Sequence, residues 1–174
     1  KWYGGRFDAL TINDCLIHDC TQSAIYLPYA IDTNEKQTCS DFKLTNSTIY
    51  NIGSGGNFGT IDIQDNATIT SSQQVEIDHV TIYNFLNSGY HGAIKVQKSA
   101  NAAVTNCIVM NPEQKWANPY RLFTGATVNN CLYYNTEIST ESTATFTNCV
   151  EADPMFVDAA NADFMLYAES PAIG

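Results

Sequence analysis

The sequence predicts an all-β solenoid, a chain that winds around one axis and stacks parallel strands from successive turns. Three observations support this prediction. Six segments match one ten-residue template, their fifth positions follow one another at intervals of 18 to 33 residues, and no segment has the 3.6-residue apolar period of a crossover helix. Because such intervals are too long for tight hairpins, we expect like residues to stack in parallel sheets without helices.

Each repeat begins as an apolar strand and turns at two polar corners. Its third position is always apolar, its fifth is Asn, Asp or His, and its tenth is Asn or Asp. Period-two alternation indicates a strand, and Asn and Asp tolerate the left-handed backbone that bends the chain. Repeats 1 to 6 span residues 10–19, 42–51, 75–84, 102–111, 126–135 and 144–153.

A second, shorter strand is predicted between the repeats. Residues 23–27, 59–63 and 92–96 each contain an apolar, polar, apolar triplet, and residues 120–123 match it more poorly. Two of the four begin with the pattern Gly-x-Ile-x-Ile or Val. Together with the repeats, these segments predict parallel sheets built from successive turns of the chain.

Composition excludes several classes of protein. The 174 residues are the size of one domain, and 44% are hydrophobic, which is too many for a disordered chain. A net charge of -10 argues against nucleic-acid binding, and no apolar run is long enough to span a bilayer. Only 15% of residues are charged while Asn, Thr and Ser are plentiful. We therefore expect a secreted or cell-surface protein.

The repeat, the Gly-x-Ile strands and the endings Asp-Pro-Met-Phe (153–156) and Ser-Pro-Ala-Ile-Gly (170–174) resemble a known family. They are similar to right-handed parallel β-helices of the pectate-lyase superfamily, including chondroitinase B-like and alginate lyase-like proteins and related bacterial β-helix domains. The resemblance implies one parallel β-helix domain over residues 1–174, with 150–174 as a C-terminal closing segment. Because an open β-helix end exposes unpaired backbone groups, we expect a fragment or one domain of a longer protein.

Cysteine stands at the sixth position of four repeats. That position points inward after the corner, so Cys15, Cys107, Cys131 and Cys149 are predicted to be reduced members of a buried row. No His or carboxylate stands beside them at ligand spacing, so the sequence predicts no metal site there. Cys20 and Cys39 lie outside this row, and whether they pair is left open.

Two other template positions carry polar or aromatic rows. The fifth position predicts a ladder of stacked amides, Asn46, Asn106, Asn130 and Asn148, with His79 as a member of the ladder rather than a catalytic base.

The ninth position carries Tyr50, Tyr83 and Tyr134, which should point outward. A row of exposed aromatic rings suits the apolar faces of sugars; the alternative is a stack that shields the sheet or meets another domain.

Half of all Lys and Arg residues lie close together in sequence: Lys95, Lys98, Lys115 and Arg121. Such a patch would attract an anionic glycan. The alternative is that Lys95 pairs with Asp62, and Lys98 with Asp65, on the preceding turn.

The family resemblance implies a sharper role for two of these residues. In chondroitinase B-like lyases a Lys in a Lys-Ser pair abstracts the proton next to the uronate carboxylate, an Arg one turn later assists, and calcium neutralises the carboxylate. Lys98-Ser99 and Arg121 resemble the catalytic pair. The strand before the Lys should supply the acidic ligands, but residues 90–94 contain no carboxylate. No metal or cofactor is therefore predicted, and calcium only for an active lyase.

These observations predict a β-helix that binds a polysaccharide, which could be anionic, without cleaving it. The predicted contacts are Tyr50, Tyr83, Tyr134, Lys95 and Lys115. The alternatives are a polysaccharide lyase acting through Lys98 and Arg121, and a structural or adhesin stalk. Other domains of a parent protein are the remaining expected partners.

Overall fold

The regular secondary structure of the described part of the chain is almost entirely β-strand. A computed structural model describes residues 7–27, 39–53, 59–64, 74–85, 92–97, 101–111, 118–123 and 125–173. Among these residues the helix content is one 3-10 turn, Ala159–Asn161. The strands are β1 (Phe7–Asn13), β2 (Leu16–Cys20), β3 (Ile25–Leu27), β4 (Cys39–Ile52), β5 (Ile61–Ile63), β6 (Gln74–Phe85), β7 (Ile94–Val96), β8 (Ala102–Thr105), β9 (Ile108–Met110), β10 (Tyr120–Leu122), β11 (Thr127–Asn129), β12 (Leu132–Tyr134), β13 (Thr145–Thr147), β14 (Val150–Glu151), β15 (Phe156–Asp158) and β16 (Asp163–Leu166).

The six repeats form one ten-stranded sheet in which every neighbouring pair is parallel. The third template positions pair in register from repeat to repeat, as predicted. The paired residues are, in order, Ile12, Leu44, Ile77, Val104, Val128 and Phe146. Among the described strands, only the C-terminal hairpin of β15 and β16 is antiparallel. The all-β class is thus confirmed, and the parallel order is compatible with a solenoid.

Every repeat bends at its fifth position. All six residues there have φ between 49° and 54°, the left-handed conformation predicted for them. Asn and Asp adopt this conformation readily, and His, present at position 79, is also enriched in it. The corner leaves the sixth and eighth side chains inside and the seventh and ninth outside.

The second corner is left-handed in only four repeats. Asp19, Asn51, Asn84 and Asn135 have φ between 50° and 54°, but Asn111 and Asp153 do not have positive φ, so the corner predicted at these two is wrong. Both precede a proline in sequence. The proline ring crowds the backbone of the preceding residue and disfavours helical conformations there, so the bend cannot form in the same way.

The short strands form a second parallel sheet in the order β10, β7, β5, β3, as predicted from the apolar triplets. The glycine that starts two of these segments has a steric role. A Cβ on Gly59 would lie 2.6 Å from the carbonyl oxygen of Gly92, and one on Gly92 would lie 2.7 Å from the backbone nitrogen of Arg121. The stacked backbones approach too closely at this point for any side chain.

The core lies between the two sheets. Leu44, Ile77, Val104 and Val128 are fully buried at the third position, and Ile61 and Ile94 face them from the short strands. Ile12 and Phe146, in the first and last repeats, are only partly buried because each has one neighbouring repeat instead of two. The predicted apolar row is therefore confirmed, with partial burial at both ends. No helix of the described residues is long and apolar enough to cross a membrane.

The predicted ladder of amides at the fifth position is wrong. These side chains are exposed, and three of them, including Asn148, bond to the fourth position of the preceding repeat instead of to each other: Asn46 Nδ2 donates to Asn13 Oδ1 and Asn106 Nδ2 to Asp78 Oδ1, both at 2.9 Å. The left-handed corner turns each amide outward and back toward that neighbour. An amide ladder forms at the tenth position, where Asn84 donates to Asn51 at 2.9 Å and Asn51 donates to Asp19 at 3.2 Å.

The cysteine row faces the interior in the middle of the stack. Cys107 and Cys131 are buried, Cys149 is half-buried and Cys15, in the first repeat, is exposed. All four are free thiols, as is Cys20. Cys20 pairs with Ile52 at one end of β4 whereas Cys39 begins that strand, so the two backbones lie at opposite ends of it.

Candidate functional site

The tyrosine row points away from the sheet but is covered by the C-terminal hairpin. Phe164 contacts both Tyr50 and Tyr83, with ring centroids 5.4 and 5.5 Å apart, and Phe156 meets Tyr83 edge-on at 6.4 Å. Tyr83 is only 9% exposed. The exposure predicted for this row is therefore wrong at Tyr83, and the alternative of an aromatic stack that shields the sheet describes its packing.

The remaining members of the row are less covered. Tyr50 also stacks on His18, with centroids 4.8 Å apart and planes within 8°. Tyr134, two repeats beyond Tyr83, is half-buried. Hydrophobic side chains of the hairpin thus occupy the faces of Tyr50 and Tyr83 that a sugar would have to reach.

The four-stranded sheet of β3, β5, β7 and β10, the short sheet, carries a row of polar residues at the middle of its strands. Tyr26, Asp62, Lys95 and Arg121 are paired in register across four strands. Lys95 Nζ lies 3.2 Å from Asp62 Oδ2, and both side chains are almost completely buried, at 3% and 0% exposure. The pairing of Lys95 with Asp62, considered from the sequence, is therefore confirmed, and Lys95 is not an exposed ligand contact.

The Asp62 carboxylate is held on one side only. Its Oδ2 accepts a hydrogen bond from the backbone N–H of Gly59 at 3.1 Å as well as contacting Lys95. Its Oδ1 is buried and has no hydrogen-bond partner. Because a buried charge is costly unless it is paired, Asp62 and Lys95 depend on each other strongly.

Arg121 continues the row and reaches a different carboxylate. Its guanidinium donates to Glu141 Oε2 at 2.8 Å, and its side chain is 18% exposed. The residues predicted to act with it, Lys98 and Ser99, and the predicted contact Lys115, lie outside the described residues. The structure therefore places Arg121 and Lys95 side by side in register but gives no position for the proposed catalytic base.

A groove of about 620 Å³ crosses the outer side of the large sheet. It runs over repeats 3 to 6 and is bounded on its other side by Leu166, Pro171 and Ala172 of the C-terminal segment. From the repeats it is lined by the corner residues, by the thiol positions and by the seventh-position side chains: His79, Asn106, Asn130, Asn148, Cys107, Cys131, Thr81, Ile108, Leu132 and Val150. This volume lies within the range of ordinary ligand sites.

The polar side of the groove offers amide groups at regular intervals. Asn106 and Asn148 each use one N–H of the Nδ2 group to bond Asp78 and Asn129, which leaves the second N–H and the Oδ1 acceptor of each amide. Asn130 makes no side-chain hydrogen bond to another described residue and presents a donor and an acceptor. Since parallel strands are about 4.8 Å apart, the groove repeats an amide at the spacing of the strands.

Asp78 and His79 stand at one end of the groove. His79 Nδ1 lies 2.8 Å from Asp78 Oδ2, while Thr105 and Asn106 donate to Asp78 Oδ1. Partial burial alone would raise the pKa of Asp78, but these hydrogen bonds from Thr105, His79 and Asn106 outweigh it and lower the pKa. Asp78 is therefore a carboxylate at neutral pH, and His79 is held by it at the corner.

The wall formed by the C-terminal segment is anchored by Ser170. Its buried hydroxyl donates to the carbonyl oxygen of Pro154 at 2.6 Å and accepts from the backbone N–H of Ala172 at 3.1 Å. These bonds fix the Ser-Pro-Ala turn that brings Pro171 and Ala172 to the groove. The Ser-Pro-Ala segment of the C-terminal motif thus has a structural role, because it positions one wall of the groove.

Sequence reasoning did not identify the groove. One signal was present: the seventh position is apolar in three consecutive repeats, Ile108, Leu132 and Val150, whereas repeats 2 and 3 carry Thr there and only repeat 1, with Leu16, is also apolar. That the C-terminal segment would fold back and form the second wall was not visible in the pattern. The described residues contain no cluster of three or more His, Cys, Asp or Glu side chains arranged to hold a metal ion.

Comparisons with protein-family models, with curated proteins and with solved structures find no match for this chain.

Proposed function

We propose that this chain is a right-handed parallel β-helix, of the pectate-lyase type, that binds a polysaccharide in the groove over repeats 3 to 6 without cleaving it. The proposal includes a secreted or cell-surface location, in keeping with the low content of charged residues. The observation that carries it is the groove itself, about 620 Å³ in volume and extended across four repeats. A long trough suits a linear polymer better than a compact metabolite.

The lining of the groove has the chemistry that sugars require. Sugar hydroxyls need both donors and acceptors, and the amides of Asn106, Asn130 and Asn148 supply them from one face. Sugar rings also have apolar C–H faces, and Leu166 and Pro171 offer an aliphatic wall opposite. This pairing of polar floor and apolar wall is the usual composition of a small-ligand site.

The absence of cleavage is inferred from the row of Asp62, Lys95 and Arg121 on the short strands. Elimination needs a free base, a group that neutralises the uronate and a shared cleft. Lys95 contacts Asp62 and Arg121 contacts Glu141, so the described cations of this row already hold carboxylates. These contacts favour a structural role for the row.

The test removes one groove amide and compares it with an equivalent amide elsewhere. Asn130→Gly deletes the side chain, and glycine accepts its φ of 52° without strain. Asn46→Gly makes the same change at φ 49°, at a corner that does not line the groove. In affinity gels containing soluble polysaccharides, we expect Asn130→Gly to weaken retention about 2- to 12-fold, the effect of one hydrogen bond worth about 0.5–1.5 kcal/mol.

Three results would contradict the proposal. The first is no retention by any polysaccharide, and the second is equal loss in the Asn130→Gly and Asn46→Gly variants. The third is formation of unsaturated products, followed by ultraviolet absorbance, that disappears with Lys98→Ala; this would establish the lyase instead.

A further inference from the structure

The groove holds almost no charge. Among the described residues that line it, His79 is the one side chain that can carry a positive charge, and none is Lys or Arg. His79 is itself in contact with the Asp78 carboxylate at 2.8 Å. Building on the proposed glycan binding, we infer that the groove selects uncharged polysaccharides over the uronate or sulfated polymers that the family resemblance implies.

An anionic polymer would meet no compensating charge in this groove. Each carboxylate or sulfate leaving water needs an opposite charge or several hydrogen-bond donors. The amides of Asn106 and Asn148 each use one of their two N–H groups on Asp78 or Asn129, so each offers a ligand one N–H and its Oδ1 acceptor, which is too few donors to replace the hydration of a carboxylate or sulfate. Acceptor oxygens attract hydroxyl groups and repel carboxylates.

The Lys and Arg residues that the structure describes do not supply a positive charge to the groove. Within the described ranges there are three Lys or Arg residues, and each lies in an ion pair: Lys43 with Glu76 at 2.6 Å, Lys95 with Asp62 at 3.2 Å and Arg121 with Glu141 at 2.8 Å. The whole chain has a net charge of -10. Its long-range field therefore repels an approaching polyanion.

A neutral polymer fits the same groove without this penalty. Hydroxyl groups can donate to the Oδ1 atoms of Asn106 and Asn148, and Asn130 can both donate and accept. The ring faces can rest on Leu166, Pro171 and Ala172. Since these contacts involve no net charge, binding should depend little on ionic strength.

The experiment compares two neutral polymers, galactomannan and hydroxyethylcellulose, with two anionic polymers, alginate and polygalacturonate. Retardation in affinity gels is measured for the full chain at about 0.05 M and about 0.5 M NaCl, between which screening shortens the Debye length severalfold. We expect retention by at least one neutral polymer, unchanged within about twofold between the two salt concentrations, and none by the anionic ones at low salt.

A charge variant sharpens the test. Thr81→Lys places an ammonium in the groove on β6, and Thr127→Lys adds the same charge at an exposed position of β11 that does not line it. We expect Thr81→Lys to gain retention by alginate or polygalacturonate that 0.5 M NaCl abolishes, and Thr127→Lys to gain none.

The outcomes separate this inference from the proposed function. Retention by anionic polymers alone would overturn the inference and leave glycan binding standing. Equal gains in the two lysine variants would also overturn it, because net charge and not the groove would then decide. Retention by none of the four polymers at either salt concentration would count against both.

Discussion

The buried pair Asp62 and Lys95 gives a quantitative test of how the short sheet is held together. The perturbation is Asp62→Asn, which keeps the size of the side chain and an oxygen for the N–H of Gly59 but removes the negative charge. Lys95, whose side chain is 3% exposed, then loses the carboxylate that it contacts at 3.2 Å. Breaking a buried ion pair from one side costs about 3–5 kcal/mol.

The length of the chain determines how far this cost lowers the midpoint temperature of thermal unfolding. A change of 1 kcal/mol shifts the midpoint of thermal unfolding by about 2–4 °C for 150–250 residues, so we expect a fall of roughly 6–20 °C. Circular dichroism during heating measures the midpoint, and urea unfolding gives the free energy of unfolding independently.

An exposed pair in the same protein is the matched control. Lys43 and Glu76 also face each other across neighbouring parallel strands, with Nζ and Oε1 2.6 Å apart, but their side chains are 45% and 46% exposed. Glu76→Gln should therefore cost only about 0–1 kcal/mol.

A double variant separates the lost interaction from the stranded charge. Asp62→Asn combined with Lys95→Met removes both charges, and we expect it to recover most of the stability lost in Asp62→Asn. Two results would contradict this prediction. The first is a loss of unfolding free energy in Asp62→Asn no larger than the loss in Glu76→Gln. The second is additivity, in which the double variant loses the sum of what Asp62→Asn and Lys95→Met each lose alone.

Three further predictions concern other parts of the fold. Gly92→Ala should destabilise the chain by about 1–3 kcal/mol in urea unfolding, because the new Cβ would lie 2.7 Å from the nitrogen of Arg121. The lowered pKa of Asp78 means that its contribution to stability is complete above its unfolded pKa of about 3.9 and is lost as pH falls through the lower folded value. Asp78→Asn should therefore flatten the loss of stability below about pH 4, measured as midpoint against pH. Thiol titration of the unfolded, unreduced chain should find at least three free thiols, from Cys107, Cys131 and Cys149, and in the folded chain Cys107 should react slowly because burial raises its pKa.

Much of the strand architecture could be predicted from the sequence, since it depends on neighbours along the chain. The alternation of Leu44 with polar residues specifies a strand, and Asn46 specifies a left-handed corner two residues later. The same pattern in six segments requires the third positions to stack, and the register confirms this. The pairing of Lys95 with Asp62 followed from the same register.

One error of prediction was local, since the corners expected at Asn111 and Asp153 are prevented by the proline that follows each of them, and the other errors came from contacts that no local pattern encodes. The alternation of side chains predicts that Tyr83 points away from the sheet, and it does. Phe156 and Phe164, more than seventy residues later in the chain, pack against it and cover it. The stacking of the fifth positions predicted that the corner amides would bond each other, whereas Asn106 donates to Asp78 of the preceding repeat.

The repeat, its register and its fifth-position corners could therefore be predicted from the amino-acid sequence, because backbone conformation and alternation are properties of a few consecutive residues. The tertiary structure decided which outward-facing residues remain available to a ligand. That choice depends on the return of the C-terminal segment, held by Ser170 against Pro154, which covers the tyrosine row and walls the groove beside Asn130. Burial is set by the whole molecule, so a residue's accessibility cannot be read from its place in a repeat.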